Sequence, residues 1–300
     1  MKRIVISLAL VVLTAGAVSG QRPTAEVMRH RTLEKFVTGQ PLEIDLWPKG
    51  MPNSNSVDYK NLPTDSWDLA PRMQVWLPEK GDTPSKAVVI CPGGGYVTLA
   101  LDHEGTLWNK FFCRENLAAI VLTYRLPHGH SEVPASDVYQ AIRIVKAHAQ
   151  EWHIDPSKIG VMGFSAGGHL ASTVATHATG DVRPAFQILF YPVITMNPAY
   201  THAYSRKMLI GDDPSQEQEM LYSNEKQVDE NTPRAFIILA DDDPDVPPMN
   251  SALYYTALKE HKIPVTMHVY PSGGHGFGMS LAWEYHAQMM TELADWLKRF

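Results

Sequence analysis

The chain has 300 residues, 44% of them hydrophobic and 19% charged, which suits one large α/β domain or two small ones of ordinary globular balance. A net charge of −6, with 26 basic residues that form no long run, argues against a nucleic-acid or anionic-membrane partner. Two cysteines, Cys91 and Cys113, cannot make a disulfide scaffold. They leave two readings, a pair formed in an oxidising compartment or two buried free thiols, and the second is the one favoured.

Residues 1–20, MKRIVISLALVVLTAGAVSG, place Lys2 and Arg3 before the apolar run 4–13 and end in small residues. This is the pattern of a secretory signal peptide, with an apolar core too short to span a bilayer comfortably. AVS at 17–19 and Gly20 offer cleavage sites, so a mature chain beginning near Gln21, secreted or periplasmic, is expected. An N-terminal membrane anchor is the alternative. The segment ends in no cysteine, which argues against a bacterial lipoprotein. Residues 21–66 read as an N-terminal extension, and 48–66, rich in Pro, Asn, Ser and Asp, as a long loop before the domain proper.

From 67 to 300 there is no internal repeat, and apolar β-type runs alternate with helical patterns. MQVWLP (73–78) and KAVVICPG (86–93) read as strands, 102–115 as helical, and LAAIVLTYRL (117–126) as the next strand. In 136–152 apolar residues at 138, 141, 142, 145 and 149 have helical spacing, with Asp137 suited to the positive end of the helix dipole. Strands follow at 158–164, 186–194, 235–240 and 265–271, with helices from Ala166, across 250–261 and at the C-terminus. The strands are nearly continuous in apolar residues rather than alternating, the mark of strands buried on both faces. An α/β fold follows, with a mostly parallel central sheet and helices on both sides. Residues 195–234 break the rhythm, polar and irregular, and read as a cap- or lid-like insertion.

The chemistry concentrates in four places. In VMGFSAGGHL (161–170), Ser165 stands between Gly163 and Gly167, after a strand and before a helix. A plain helix cap would explain the serine alone, but this placement is that of a nucleophile elbow, whose strained residue lifts a hydroxyl above the sheet. Serine is a poor nucleophile without a base. Among 13 histidines, His275 stands out, between two glycines on the loop after the last strand, where open α/β sheets place their sites. The preceding strand is followed by Asp241, Asp242, Asp243 and Asp245, candidates for the acid that orients the histidine. A solvated turn is the other explanation; a metal loop is weak, since no histidine or regular ligand spacing accompanies them. Finally, PGGGY (92–96) follows an early strand. Its glycines leave backbone N–H groups free to face a ligand, and Gly94, Gly95 and Ala166 are the candidate oxyanion donors, against the alternative of a simple glycine turn.

Taken together, PGGGY, YRL, GFSAGGHLA, YSNEKQV, DDDPDVPPMNS and SGGHGFG resemble the bacterial carbohydrate acetyl esterases. These are secreted α/β hydrolases related to the hormone-sensitive-lipase group, many of them acetyl xylan esterases. The resemblance runs from about residue 84 to 290. It implies the α/β-hydrolase fold, a Ser165–Asp243–His275 triad, acetylated carbohydrate as substrate, and no metal or organic cofactor. In such hydrolases the acid commonly stands four residues before the Pro of a Val-Pro pair; Pro247 then selects Asp243, with Asp242 and Asp245 still open. Pro92 departs from the histidine that related lipases carry before the glycines, so the loop must be anchored differently. Asp245 replaces a usual apolar residue. Tyr96 and His202 are candidate sugar contacts, each with ordinary packing as its alternative. A short-chain or feruloyl carboxylesterase is the nearest competing reading. A prolyl-oligopeptidase-like peptidase lacks room before residue 70 for its propeller, and a non-catalytic sugar-binding module would be expected to have lost a triad member. Oligomeric state leaves no signal.

Overall fold

The continuous apolar runs become the centre of one eight-stranded sheet, in the order β1-β2-β4-β3-β5-β6-β7-β8. The computed structural model describes residues 40–300; the signal-peptide reading of 1–20, and residues 21–39 of the extension, lie outside the described residues. The strands are β1 Leu42–Asp45, β2 Arg72–Trp76, β3 Ser85–Cys91, β4 Leu117–Thr123, β5 Ile154–Phe164, β6 Phe186–Phe190, β7 Arg234–Ala240 and β8 Val265–Tyr270. Strands β1 and β2 are antiparallel, and β4, β3, β5, β6, β7 and β8 run parallel. Every residue of β4 and β6 is buried, as strands covered on both faces must be.

The helices are α1 Asn109–Arg114, α2 Glu132–Ala147, α3 Ala149–Trp152, α4 Ser165–His177, α5 Ala203–Ile210, α6 Gln216–Tyr222, α7 Met249–Glu260 and α8 His286–Leu297. Helix α4 packs on β5 and β6 and against α2, while α1 packs on β4 and α7 on β8. The sheet order reverses around β3: the chain passes from β3 to β4 on one side, then returns to β5 on the other. Such a switch point opens a crevice beyond the carboxyl ends of the strands.

Three local expectations need correcting. The domain begins before the 48–66 loop, because β1 pairs with β2 (Leu42 opposite Val75) and the loop itself is tied down. The Arg125 guanidinium donates to the Asn53 carbonyl at 2.7 Å and to Asp137 Oδ1 at 2.7 Å, and Trp47 Nε1 donates to the same carboxylate at 2.7 Å. Strand β1 is an exposed edge and lacks the continuous apolar signature that marks the inner strands. The 102–115 segment is helical only from Thr106, first as a 3₁₀ turn and then as α1. Insertion 195–234 is not irregular throughout: it holds α5 and α6, the latter opened by a Ser215–Gln218 capping box.

Both cysteines are free thiols, Cys91 buried and Cys113 half-buried. Burial holds the Cys91 thiol far above its ordinary pKa and pushes Cys113 up to about 11. Among the described residues, no helix is long and apolar enough to cross a membrane.

Candidate active site

The turn from β5 into α4 is possible only with glycine on either side of the serine. A Cβ on Gly163 would stand 2.0 Å from the Gly167 carbonyl oxygen, and one on Gly167 would stand 2.1 Å from the Cys91 carbonyl oxygen. Freed of those collisions, Ser165 takes φ +52°, the left-handed conformation an L-residue seldom adopts. Ala166, the second residue of α4, has no acceptor for its N–H within the helix, so that group and the helix dipole face the serine end.

Sheet register brings the other two groups to the same place. Strands β7 and β8 end side by side, with Ala240 opposite Tyr270, so the loops that follow emerge together. His275 Nε2 lies 2.8 Å from Ser165 Oγ, and His275 Nδ1 lies 2.7 Å from Asp243 Oδ2. The other Asp243 oxygen accepts the main-chain N–H groups of Asp245 and Val246, both at 2.9 Å. With its carboxylate on Nδ1–H, the imidazole presents Nε2 as an acceptor to the serine hydroxyl. The remaining acids are placed elsewhere. Asp242 Oδ1 accepts the Gly274 N–H at 2.8 Å and steadies the histidine loop, and the Asp245 side chain is exposed. Among the described residues no group of three or more His, Cys, Asp or Glu is placed to hold a metal ion.

Strand β3 pairs with β5 so that Cys91 faces Gly163, and residues 92–95 therefore pass directly beside the elbow. Gly94 and Gly95 have φ of +129° and +64°. A Cβ on Gly94 would stand 2.2 Å from the Thr98 carbonyl oxygen, whereas around Gly95 the nearest atoms are on His202 and Tyr204, at 3.8 Å. Among the described residues no carbonyl accepts the N–H of either glycine. With Pro92 where related lipases carry a histidine, the start of the loop is held by other groups. The Tyr124 hydroxyl donates to the Pro92 carbonyl at 2.7 Å, and the Gly93 N–H donates to the buried Glu104 carboxylate at 2.8 Å.

Of the two candidate sugar contacts, Tyr96 is corrected. It is 1% exposed, with φ +60°, and its hydroxyl meets His169 Nδ1 at 2.9 Å. A side chain so enclosed cannot touch a sugar; it fastens the glycine loop to α4. His202 stays beside the loop, half-buried, its Nδ1 accepting from Ser205 Oγ at 2.7 Å. Burial, and next the charge of nearby His275, lower its pKa from the ordinary value. Sequence reasoning missed Glu104, Tyr124 and Tyr191. Glu104 and Tyr191 sit in no recognisable motif; Tyr124 opens YRL, but its partner, the Pro92 carbonyl, lies 32 positions away.

Comparison with known proteins bears on the family and the fold. The BD-FAE family model matches residues 73–258. Over 231 residues the chain is 40% identical to the acetylxylan esterase of Xylanibacter ruminicola, covering 76% of this chain and 48% of that protein. It is 36% identical to endo-1,4-beta-xylanase B of Butyrivibrio fibrisolvens, over 70% of this chain and 35% of that one. The chain thus spans about half or less of the length of these relatives. The crystal structure of an acetyl ester-xyloside bifunctional hydrolase from Caldicellulosiruptor lactoaceticus matches with a TM-score of 0.77 and 31% identity, over 86% of this chain and 96% of that one.

Proposed function

The chain belongs to the BD-FAE family of α/β hydrolases, and on that premise we propose that it is a serine esterase removing acetyl groups from carbohydrate of the xylan or xylo-oligosaccharide kind. The observation that carries the reading is the unbroken line from Asp243 through His275 to Ser165, at 2.7 and 2.8 Å. The relatives named as acetylxylan esterase and acetyl ester-xyloside hydrolase support the substrate class.

In the proposed reaction His275 Nε2 takes the Ser165 proton as Oγ attacks the acetyl carbonyl. Asp243 keeps the imidazole in the productive tautomer and stabilises its charged form. The carbonyl oxygen becomes an oxyanion held by the N–H groups of Gly94, Gly95 and Ala166; losing one such donor typically costs about 10²–10³ in rate. His275 then protonates the departing sugar oxygen. Water attacks the acetyl-serine by the same route, acetate leaves, and Ser165 recovers its proton. Secretion belongs to the proposal: the basic, apolar and small-residue order of 1–20 supports export, which the mass of the mature protein would test.

Acetate release from acetylated xylan, set against p-nitrophenyl acetate, butyrate and longer esters, tests the function. Preference for acetyl groups on xylan is expected. Turnover of bulky or long esters instead would move the reading to a general carboxylesterase. Ser165→Ala should fold normally and lose turnover by about 10⁶-fold, as removal of a triad serine does; unchanged activity would refute the assignment.

A further inference from the structure

Residues 102–108 carry Glu104, a carboxylate beside the 92–95 loop that no step above uses. Glu104 is 3% exposed. Its Oε2 accepts the Gly93 N–H at 2.8 Å, and its Oε1 accepts the Tyr191 hydroxyl at 2.7 Å. That hydroxyl in turn accepts the Gly278 N–H at 3.0 Å. Glu104 therefore bridges two loops more than 170 positions apart in sequence: the one offering oxyanion donors and the one carrying His275.

The approach is close on both sides. A Cβ on Gly93 would stand 2.6 Å from Glu104 Oε2 and 3.0 Å from Ser165 Cβ, so the carboxylate reaches this main chain only because the residue is glycine. The Tyr191 ring meets the His275 ring edge-on, with centroids 4.8 Å apart, and Tyr191 holds φ +35°, a conformation that costs energy for a bulky side chain. The backbone joins in, as the Met279 N–H donates to the His103 carbonyl at 2.9 Å.

Resting on the esterase reading above, we infer that Glu104 is the positioning residue of this active site, setting the oxyanion loop against the histidine loop through Gly93 and Tyr191. Both its oxygens receive donors, the pattern of an ionised carboxylate, and hydrogen bonds to a charged acceptor are about twice as strong as neutral ones. Burial pushes its carboxyl up from the ordinary value, while His103, at 3.8 Å, and the two donors act against that shift. Displacement of a reacting group by about 1 Å can cost 10²-fold in rate, so a clamp between the oxyanion donors and the base acts on kcat more than on binding.

The test compares wild type, Glu104→Ala, Glu104→Gln and Tyr191→Phe by two readouts. One is the rate at which a fluorophosphonate labels Ser165, followed by intact mass; the other is kcat and KM on p-nitrophenyl acetate. Glu104→Ala is expected to slow labelling and kcat together by about 10²-fold with KM within about threefold. Glu104→Gln keeps one acceptor and should fall between Ala and wild type. Tyr191→Phe keeps the Gly93 bond but cuts the link between loops, with a loss of about tenfold. Should Glu104→Ala fail to fold, the other two variants carry the comparison. Folded variants that label and turn over within about twofold of wild type, or that change KM alone, overturn the inference. A wild type labelled at Ser165 but without ester turnover would instead sink the esterase reading and leave the labelling comparison intact. A wild type that the probe does not label would sink both.

Discussion

Asp243 differs from Asp242 and Asp245 in what its two oxygens do. One accepts His275 Nδ1–H, and the other accepts the N–H groups of Asp245 and Val246. An amide in its place would turn an NH₂ toward either those main-chain donors or the imidazole, and the imidazole would settle in the wrong tautomer. Asp243→Asn is therefore expected to keep its fold and lose about 10⁴ in kcat, as the same change does in a triad of this kind. Asp245 serves the site through its main chain, and its side chain points to solvent. Asp245→Asn should leave kcat within about threefold, the ordinary range for a surface change away from reacting atoms. Steady-state kinetics on p-nitrophenyl acetate for both variants decides the matter; the reverse order of losses would hand the acid's role to Asp245.

The element that governs the site is the β5–α4 turn, where two backbone segments approach too closely for any side chain. The Gly163 collision, 2.0 Å from the Gly167 carbonyl oxygen, is with main chain that cannot swing aside. Gly163→Ala should destabilise by at least about 1–3 kcal/mol, as overpacking does. Thermal melting would show this as a drop of roughly 2–4 °C for each kcal/mol, while Gly81→Ala, which meets nothing within 4 Å, should melt within a degree or so of wild type. Equal melting of the two would mean that the turn relaxes. This element was legible in the sequence because its signal is local: an apolar run, two glycines flanking a serine, then helix formers. The inner strands were legible for the same reason. Strand β1 was not, since an exposed edge strand carries no continuous apolar run. The 102–115 segment reads as helical throughout, but Glu104 lies before its helical part and is held by Gly93 and Tyr191, the latter 87 positions away. Tyr96 reads as a site residue because it follows the glycine loop, and only its positive φ and its bond to His169 reveal an inward ring.

Across the molecule, the 92–96 glycine loop, α4 and the insertion are joined by one buried imidazole. His169 lies on α4, and its Nε2–H donates to the Tyr222 carbonyl at 2.8 Å at the end of α6. Its Nδ1 must then accept, and the Tyr96 hydroxyl supplies the donor at 2.9 Å. Asn224, fully buried beyond α6, adds a bond from its Nδ2 to the His169 carbonyl at 3.1 Å. A neutral ring is thus satisfied on both nitrogens, and burial lowers its pKa to about 4 from the ordinary 6.5. The native protein resists a proton that the unfolded chain accepts, so stability from this group is intact above pH ~6.5 and is lost as pH falls toward about 4. The loss is on the order of 3 kcal/mol when complete. Glu104 acts with the opposite sign, because a carboxyl raised by burial favours the folded state as it protonates. Urea unfolding of wild type at pH 7, 5.5 and 4.5 should show the midpoint falling across the His169 window. His169→Gln, which retains a donor and an acceptor but cannot take up a proton, should start less stable and fall less steeply. Parallel declines in the two proteins would place the acid sensitivity outside this junction, and the coupling of loop, helix and insertion through His169 would lose its support.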